Sequence, residues 1–398
     1  REMLRPMLGL LALVVGLGAQ PLSVRDSGAK GDGKTDDTPA FVAALAKAKA
    51  AGTGVLVPKG VYRLTQPLVL ENIVLRGPEG TAWPADIDAL PTLLPSHRDG
   101  PCCRLLAGGA MRGLNIDYQW AKEPERGPPA IRIEGIGVFL SNLRIRYPWD
   151  GILTDGEHNV GRLNIENIFM VSPRNVGVRV TGTWDVPRLS NVEVWNAGPV
   201  KRGLAKGIGF HLGKNDLIRL TDCFAFAMQT GFLLEDEIEG CKIKGATWGV
   251  MNGCATDYCG RSIVVRGDHT LSVSGGTFWT HGESLIVEQG KSRVRVAGSE
   301  LKSNGAPCVA VRGGDHTIVT GCTLLRPMEE HPGWAVRLQA GSTVFGSNTI
   351  QSTRDGIEVT GKKTAAVITG NLLQLPGKSV LDKTARGVVK DNLVLALP

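Results

Sequence analysis

Residues 130–182 read AIRIEGIGVFLSNLRIRYPWDGILTDGEHNVGRLNIENIFMVSPRNVGVRVTG. Three segments of this stretch, 130–135 (AIRIEG), 151–156 (GILTDG) and 177–182 (GVRVTG), share one pattern. In each segment the second and fourth residues are Ile, Val or Thr, whereas the third and fifth vary in character. Successive side chains of a strand point to opposite sides. The alternation therefore predicts three short strands with one side in a core and the other side facing outward.

The same pattern recurs toward the C-terminus, at 209–214, 231–236, 262–267, 284–289, 308–313, 335–340 and 356–361. A second series, of single Gly, Asn or Asp residues between alternating apolar segments, runs out of phase with the first. These residue types adopt left-handed backbone at low cost, so each predicts a tight bend between two strands. The predicted bends are Gly77, Gly113, Asn142, Asn167, Asn191, Asp222, Gly245, Gly275, Gly298, Gly321, Gly346, Gly370 and Asp391.

The spacing of the bends determines the predicted architecture. Their intervals range from 21 to 36 residues, and a period of this size indicates stacked coils that cannot bury their apolar sides alone. Two series of strands with one period predict an all-β fold, a right-handed parallel β-helix of about 12 coils. A leucine-rich horseshoe is the main alternative, but the repeats lack its leucine signature and helical half. A propeller blade would need four antiparallel strands in roughly 40 residues.

The N-terminal segment differs from the repeats and carries a family resemblance. Residues 24–38 read VRDSGAKGDGKTDDT, an Ala-rich stretch follows, and residues 54–62 read GVLVPKGVY. This pattern closely resembles the entry segment of the pectate-lyase superfamily, which includes polygalacturonase-related proteins and many phage tailspikes. Ser27 departs from the aromatic residue usual at that position. The resemblance implies a β-helix that acts on or binds carbohydrate.

In physical terms the N-terminal motif is structural. Thr35 can cap a helix with Asp36 and Asp37 in its first turn, where the helix dipole favours carboxylates. With Phe41 and Leu45 facing inward, this short helix would cap the open first coil. We therefore predict an N-terminal cap at 21–76 and a β-helix at 77–398. The acidic run could instead bind calcium, although its spacing differs from that of an EF-hand loop.

The chain also carries signs of export. Residues 1–20 contain Arg5, an apolar stretch at 8–17 and the small residues Gly18 and Ala19, which together predict a secretory signal peptide too short to span a membrane. Eight cysteines suit an oxidising location, and Cys254 and Cys259, which share one loop, are the expected local disulfide. We therefore expect a secreted or periplasmic protein without a membrane span.

The net charge and the spacing of the cysteines limit which binding partners and metal ions are expected. The formal net charge is +7, which suits an anionic polymer, but no run of Lys and Arg indicates nucleic-acid binding. The expected partner is thus a polysaccharide, possibly an acidic one. No Cys/His spacing resembles a zinc site, and no metal site is predicted, with Ca²⁺ considered only for a lyase. The sequence leaves the oligomeric state open.

Catalytic and substrate-binding side chains are expected at the outward positions of the first strand series. The third-position column begins Arg132, Leu153, Arg179, His211, Leu233, and the fifth-position column begins Glu134, Asp155, Thr181, Gly213, Glu235. Charged groups concentrate in the early coils, and the longest intervals between bends are early or central. Because long loops beside a rigid scaffold are where sites are usually built, we place the glycan-binding groove over 134–235.

Neighbouring coils lie about 4.8 Å apart, which predicts a close carboxyl pair formed by Glu134 and Asp155. Such a pair raises the pKa of one member and suits glycoside hydrolysis. Arg179 and His211 would flank the pair, as a uronate clamp or a base, and Arg132 and Glu235 would bind substrate. Asp150, Asp185, Asp216 and Asp257 in adjoining loops are further candidates. Alternatively, Glu134 and Asp155 are solvated groups paired with Arg132 and Arg179.

Aromatic residues point to the same region. Eight of them fall three to seven residues after a bend, which predicts a row beside the groove that stacks on sugar rings: Tyr118, Trp120, Tyr147, Trp149, Trp195, Trp248, Phe278 and Trp279. Of these, Tyr118, Trp149, Trp195 and Trp248 are the substrate-binding candidates. The alternative is that about half of the row is buried, as Trp and Tyr often are.

Three functions remain open from the sequence. The first is an exported polysaccharide-degrading enzyme, either a glycoside hydrolase or a polysaccharide lyase. The Asn-Thr-Asp, Asp-Asp, Gly-His-Gly and Arg-Ile-Lys blocks that polygalacturonases share are missing, and the nearest match, Thr154-Asp155-Gly156, lacks its Asn. The second function is a non-catalytic carbohydrate-binding β-helix. The third is a structural or adhesive protein that resembles a tailspike.

Overall fold

The structure, a computed structural model, describes residues 20–78, 89–119, 126–196, 207–327 and 333–396. Within these ranges there is one α-helix, Thr38–Ala51, and one 3-10 helix, Val24–Ser27, and the remaining elements are strands. The strands pair in parallel in two long sheets. The predicted all-β parallel β-helix is therefore confirmed. Residues 1–19 of the predicted signal peptide lie outside the described residues.

The first sheet, here called sheet 1, supplies one strand to each coil. Its thirteen strands stack in chain order. They are Leu68–Leu70, Cys103–Leu105, Pro129–Ile133, Asp150–Thr154, Val176–Val180, Ile208–Leu212, Thr230–Glu235, Arg261–Arg266, Leu285–Gln289, Val309–Val311, Trp334–Leu338, Asp355–Val359 and Val380–Asp382. This sheet is the first strand series of the sequence, continued by two earlier strands and one later strand.

The remaining 26 strands form one sheet folded along a line of bends. We call the part before the bends sheet 2 and the part after them sheet 3. Four strands run through the bend: Ala110–Asp117, Phe139–Arg146, Asn164–Val171 and Arg188–Trp195. Sheet 2 also contains Leu22–Ser23, Val55–Leu56, Val74–Arg76, Asn215–Thr221, Thr247–Asn252, Thr270–Ser274, Arg293–Ala297, His316–Thr320, Ser342–Gly346, Ala365–Thr369 and Val388–Lys390. Sheet 3 also contains Asp32–Asp36, Val61–Leu64, Thr92–Pro95, Phe224–Phe226, Ala255–Cys259, Thr277–Thr280, Glu300–Ser303, Thr323–Arg326, Thr349–Ser352, Leu372–Gln374 and Leu393–Leu395.

Most of the predicted bends are left-handed residues at this line. Ten of them have φ between 50° and 67°: Gly113, Asn142, Asn167, Asn191, Asp222, Gly275, Gly298, Gly321, Gly370 and Asp391. The bend positions Gly245 and Gly346 are wrong, because the left-handed residues between the paired strands are Gly253 and Ser347, with φ of 62° and 55°. Gly77 does not have a positive φ either.

The inward side chains form one continuous core. The second and fourth residues of each repeat, such as Ile131 and Val178, are fully buried in it. Phe210 and Phe232 stack on successive coils with ring centroids 4.7 Å apart and planes 9° apart. Inside the later bends, Asn348 donates to Asn371, and Asn371 donates to Asn392, over 3.1 and 2.8 Å. Buried amides thus satisfy one another from coil to coil.

The α-helix packs against the first coils, but its start differs from the prediction. Phe41, Ala44 and Ala48 join the same core. The helix begins at Thr38, and Asp37 is its N-cap residue. Thr35 is not the cap, because it lies in the strand Asp32–Asp36 and its N–H and hydroxyl donate to Asp32. Among the described residues, no helix is long and apolar enough to cross a membrane.

The cysteines are not paired. All eight are free, buried thiols, so the expected bridge between Cys254 and Cys259 is wrong for this structure. Cys254 immediately precedes the strand Ala255–Cys259, and Cys259 ends it. An extended strand of that length spans roughly 15 Å, whereas a disulfide needs Cα atoms within about 7 Å. The two thiols instead donate to the carbonyls of Asn252 and Ala225.

Candidate functional site

The outer face of sheet 1 carries the predicted column of third-position residues. Arg132, Leu153, Arg179, His211 and Leu233 are register partners on five successive strands. Arg104 precedes Arg132 in the same column. The predicted lateral alignment of these side chains is therefore present. We call the outer face of sheet 1 between Cys103–Leu105 and Thr230–Glu235 the groove.

Within the groove, Glu134 is held by arginines. Its carboxylate accepts hydrogen bonds from Nε and Nη2 of Arg104 over 2.9 and 2.6 Å. Nε of Arg132 lies 3.3 Å from Oε1 of the same carboxylate. The Glu134 side chain is only 9% exposed. Glu134 is therefore engaged by arginines from its own coil and from the preceding coil.

Asp155 has a different partner and a different role from the one expected. Its Oδ1 accepts the N–H groups of Glu157 and His158 over 3.0 and 3.1 Å, and its Oδ2 contacts Nδ1 of His158. Burial pushes the pKa of Asp155 upward, but these hydrogen bonds outweigh it and hold the pKa below its ordinary value. In place of the predicted close pair with one raised pKa, each carboxylate has partners of its own: Arg104 and Arg132 for Glu134, and His158 for Asp155.

His158 is the group that the sequence analysis missed. Its side chain is 62% exposed, in contrast to that of Asp155, which is fully buried. The hydrogen bond and the negative charge of Asp155 raise the pKa of His158 above its ordinary value. The only sequence signal is a His three residues after an Asp at a strand end, where a turn can bring the two side chains together. The geometry is that of an acid–base group oriented by a buried carboxylate.

Asp150 begins one strand of the groove, and Arg179 lies near the end of the next strand. Oδ1 of Asp150 accepts hydrogen bonds from Nδ2 of Asn175 and N–H of Val176 over 2.8 and 3.0 Å. Burial raises the pKa of Asp150, and these bonds with the charge of Arg179 offset only part of that effect. Arg179 donates from Nη2 to the Thr154 carbonyl over 2.9 Å. Its Nε is buried without a hydrogen-bond partner among the described residues.

A loop from a distant coil closes one side of the groove. Residues 236–246, which we call the strap, follow the strand Thr230–Glu235 and run back past two coils. The N–H groups of Lys242 and Ile243 donate to the Gly156 carbonyl over 3.0 and 2.9 Å. Nζ of Lys242 lies 2.8 Å from Oε2 of Glu157. The strap therefore brings a cation to the turn that holds Asp155.

The close fit of the strap explains a glycine at the turn. Gly156 has φ of 75°, a left-handed conformation that glycine adopts without penalty. A side chain there would also collide with Cys241 of the strap. Gly156 is therefore fixed both by its backbone conformation and by the approach of the strap.

His211 and Glu235 lie farther along the groove in a separate network. Nε2 of His211 is 3.1 Å from Oε2 of Glu235, whose Oε1 is 3.4 Å from Nη1 of Arg266. The hydrogen bond with His211 lowers the pKa of Glu235. Beside them, Leu233, Val264 and Ile286 form a small buried apolar cluster. His211 therefore does not flank a pair of Glu134 and Asp155, and Asp216 lies in the sheet 2 strand Asn215–Thr221.

The aromatic candidates are scattered over different surfaces. Tyr118 is buried, and Trp149 is half-buried at the groove's edge, just before Asp150. Trp195 ends a strand of sheet 3 and is 38% exposed, whereas Trp248 is 53% exposed on sheet 2. A single aromatic row with these four members beside the groove is therefore wrong. Trp120 lies outside the described residues.

The carboxylates of the groove have partners within the chain. Calcium takes six to eight oxygen ligands. Among the described residues, no group of three or more His, Cys, Asp and Glu side chains is arranged to hold a metal ion. The carboxylates of Glu134, Asp155 and Glu235 already contact cationic or imidazole groups.

Comparisons with known proteins agree with the fold. Residues 22–89 match the family model described as rhamnogalacturonase A/epimerase, pectate lyase-like. An exopolygalacturonase of Arabidopsis thaliana is 47% identical over 57 residues, which are 14% of this chain and 12% of the relative. The resemblance to pectate-lyase-like proteins is therefore confirmed. The match spans only a small part of the curated relative.

Two solved structures resemble nearly the whole chain. The A-module of mannuronan C-5 epimerase AlgE6 of Azotobacter vinelandii has a TM-score of 0.64 at 14% identity, covering 94% of this chain and 99% of that one. The A-module of AlgE4 of the same organism has a TM-score of 0.57 at 16% identity, covering 93% and 100%. At such identities the likeness shows the parallel β-helix fold alone.

Proposed function

We propose that this carbohydrate-active β-helix is an enzyme that binds a uronate-containing polysaccharide along the groove and moves the proton at C5 of the uronate. The observation that carries this proposal is the exposed His158, oriented by the buried, ionised Asp155. Arg132 and Arg179 lie beside it on the groove, and Lys242 reaches the same turn on the strap. Cations beside a proton-transfer group suit a substrate that carries a carboxylate.

The reaction can be written with the groups of the chain. The guanidiniums of Arg132 and Arg179 would hold the uronate carboxylate, and neutral His158 would take the C5 proton. The electron pair left on C5 moves into the carboxylate, where the added negative charge is stabilised by the same cations. Expulsion of the C4 oxygen, which takes up a proton from protonated His158 or from water, then gives an unsaturated uronate, which is lyase chemistry. Return of a proton from water to the opposite face of C5 gives the epimer instead, and His158 then releases its proton to solvent.

Hydrolysis is the second candidate, and Asp150 favours it. A buried carboxyl with a raised pKa is suited to protonate a glycosidic oxygen. A glycosidase also needs a second carboxylate as base or nucleophile. Glu134 and Asp155 are each engaged by cationic or imidazole groups, which makes them poor candidates for that role. Proton transfer at C5 therefore agrees better with the geometry.

The names of the relatives support the two candidate reactions, proton transfer at C5 and hydrolysis. By their names, the two Azotobacter proteins are mannuronan C-5 epimerases and the Arabidopsis protein is an exopolygalacturonase. All three names refer to polymers of uronates. We therefore propose an acidic polysaccharide as substrate, met outside the cell or in the periplasm, in keeping with the predicted signal peptide at 1–20.

Incubation with polymannuronate or polygalacturonate in heavy water tests the reaction class. We expect deuterium at C5 of the product, or an unsaturated uronate that absorbs in the ultraviolet, because both outcomes require removal of the C5 proton. Mass spectrometry and proton NMR of the product measure both. New reducing ends without deuterium at C5 and without ultraviolet absorbance would replace this proposal by hydrolysis.

The pH profile tests the role of His158. A raised pKa keeps the proton on His158 to higher pH, so a base at this position works only above that pKa. We expect turnover to rise with pH as His158 loses its proton. This rising part of the pH profile is called the limb below. Asp155→Asn removes the charge that raises the pKa of His158, so the limb should move to lower pH.

The matched control is Asp185→Asn, which removes an exposed carboxylate paired with Arg162. Its limb should coincide with that of the unmodified protein. An unshifted limb in Asp155→Asn would show that His158 is not the titrating base.

A further inference from the structure

A continuous row of aromatic side chains lies on the outside of sheet 3, where its strands end. Its five members come from successive coils: Phe169, Trp195, Phe226, Tyr258 and His281. The centroids of neighbouring rings are 6.4, 4.8, 5.7 and 5.5 Å apart in that order. We call these residues the aromatic row. It runs parallel to the axis of the coils, because each member comes from the next coil.

Two members of the aromatic row are exposed to solvent, so their rings are not part of the core. Trp195 and Tyr258 are 38% and 48% exposed. Single exposed aromatic residues are ordinary, whereas contiguous apolar surface marks binding sites. Tyr258 also has φ of 53° at an irregularity in the pairing of its strand. Tyr147, Ser172 and Ala227 have the same left-handed φ at the equivalent corner of earlier coils, so this conformation belongs to the turn of the coil.

One end of the row borders a cleft of about 150 Å³. The rings of Tyr258, Trp279 and His281 line it, together with the polar side chains of Asp257, Lys302 and Asn304. Nζ of Lys302 lies 3.9 Å from the centre of the Trp279 ring. Nδ2 of Asn304 lies 3.3 Å from Nδ1 of His281. Aromatic walls with a few convergent polar groups are typical of a small-molecule subsite.

The flank of the row is shielded from water. Glu193 lies between Phe169 and Phe224 in the register of sheet 3. Burial raises the pKa of its carboxyl to about 7. Its Oε1 is buried without a hydrogen-bond partner among the described residues. Glu193 is therefore a partly buried carboxyl packed beside the row.

The row is separate from the groove. Its members lie on sheet 3 or at the ends of its strands, whereas Arg132, Arg179 and the residues aligned with them lie on sheet 1. The turn from sheet 3 to sheet 1 separates the two faces in each coil. None of the aromatic residues of the row takes part in the proposed proton transfer.

We propose that the aromatic row and its cleft form a second glycan-binding surface, which holds one extended polysaccharide strand along the coils. The C–H faces of pyranose rings would stack on Trp195 and Tyr258. Hydroxyl or carboxylate groups would bind Lys302, Asp257 and Asn304. This surface goes beyond the proposed reaction, since it would retain polymer whether or not the groove turns it over.

A glycan fits this surface better than a protein partner. A stable protein interface buries about 800 Å² on each partner. The row is a narrow strip that is bordered at one end by charged groups, Asp257 and Lys302. A narrow strip with polar groups at one end matches a single polymer strand, whose apolar faces and hydroxyl groups alternate.

Affinity electrophoresis of the purified full chain tests the proposal, with gels that contain polygalacturonate, polymannuronate or the neutral polymer xyloglucan. Trp195→Ala and Tyr258→Asn are the test variants. Asn removes the ring of Tyr258 and tolerates the left-handed backbone, so that variant should fold. We expect affinity for at least one polymer to fall at least about tenfold in each variant. Turnover of short oligouronates should be unchanged, because they occupy only the groove.

The control is Trp248→Ala, which removes a Trp exposed on sheet 2. It should migrate like the unmodified protein. Equal retardation of all four proteins would overturn the proposal, and so would an equal loss of binding in the control. A dimer that dissociates in Trp195→Ala would instead assign the row to contact between copies. Because the readout is binding, the result is independent of whether the reaction at C5 is found.

Discussion

Turnover should fall by about 100-fold to 10,000-fold when His158 is replaced by alanine, the range that a positioned acid–base group contributes. The loss is expected in kcat, since His158 is proposed to move the proton rather than to bind the polymer. Because the side chain is 62% exposed and its main contact is with Asp155, folding should be preserved. Initial rates on a uronate polymer and circular dichroism of the variant measure both effects.

The matched control for this change is His316→Ala. His316 is an exposed histidine on the sheet 2 strand His316–Thr320, remote from the groove along the chain. We expect the rate of this variant to equal that of the unmodified protein. If His158→Ala keeps more than about a tenth of the original rate, His158 is not the acid–base group.

Replacing Phe210 by alanine should lower the free energy of unfolding by about 3–5 kcal/mol, the typical cost of truncating a buried Phe. Phe210 is fully buried and stacks on Phe232, which in turn packs edge-on against Phe278. The truncation would leave a cavity that spans neighbouring coils. Urea unfolding followed by circular dichroism measures the change.

Phe224→Ala is the control for Phe210→Ala. Phe224 is half-buried on the outer side of sheet 3, where solvent can fill the space that the ring leaves. Its replacement should cost about 1 kcal/mol. Equal losses in the two variants would contradict the assignment of Phe210 to the inside of the coils.

The architecture was predictable because its rule is local and repeated. Alternation within a strand places Ile131 and Ile133 inward and Arg132 outward, and the same alternation recurs in each repeat. Because successive strands pair in the same register, residues at the same position of each repeat become neighbours, as seen for Arg132, Leu153, Arg179 and His211. Ten bends were found from residue type alone. The exceptions are Gly77, which has no positive φ, and Gly245 and Gly346, where Gly253 and Ser347 take the left-handed position.

The partners of the site residues were not predictable in this way. Glu134 and Asp155 stand in one column, but which cation each contacts depends on side-chain rotation and on loops. Glu134 takes Arg104 from the preceding coil, and Asp155 takes His158 from its own turn. Whether two side chains form an ion pair depends on differences of a few ångströms in the distance between their charged groups. A repeat pattern in the sequence does not encode such differences.

The stack of parallel coils, their core and the outward columns can be predicted from the amino-acid sequence, since they follow from the period of two within strands and the longer period between coils. Which outward residues meet depends on the folded chain. Glu157 and Lys242 are 85 positions apart, and the strap joins them across coils. Trp195, Phe226 and Tyr258 become one surface in the same way. Contacts of this kind depend on where loops come to rest, and no local pattern specifies that.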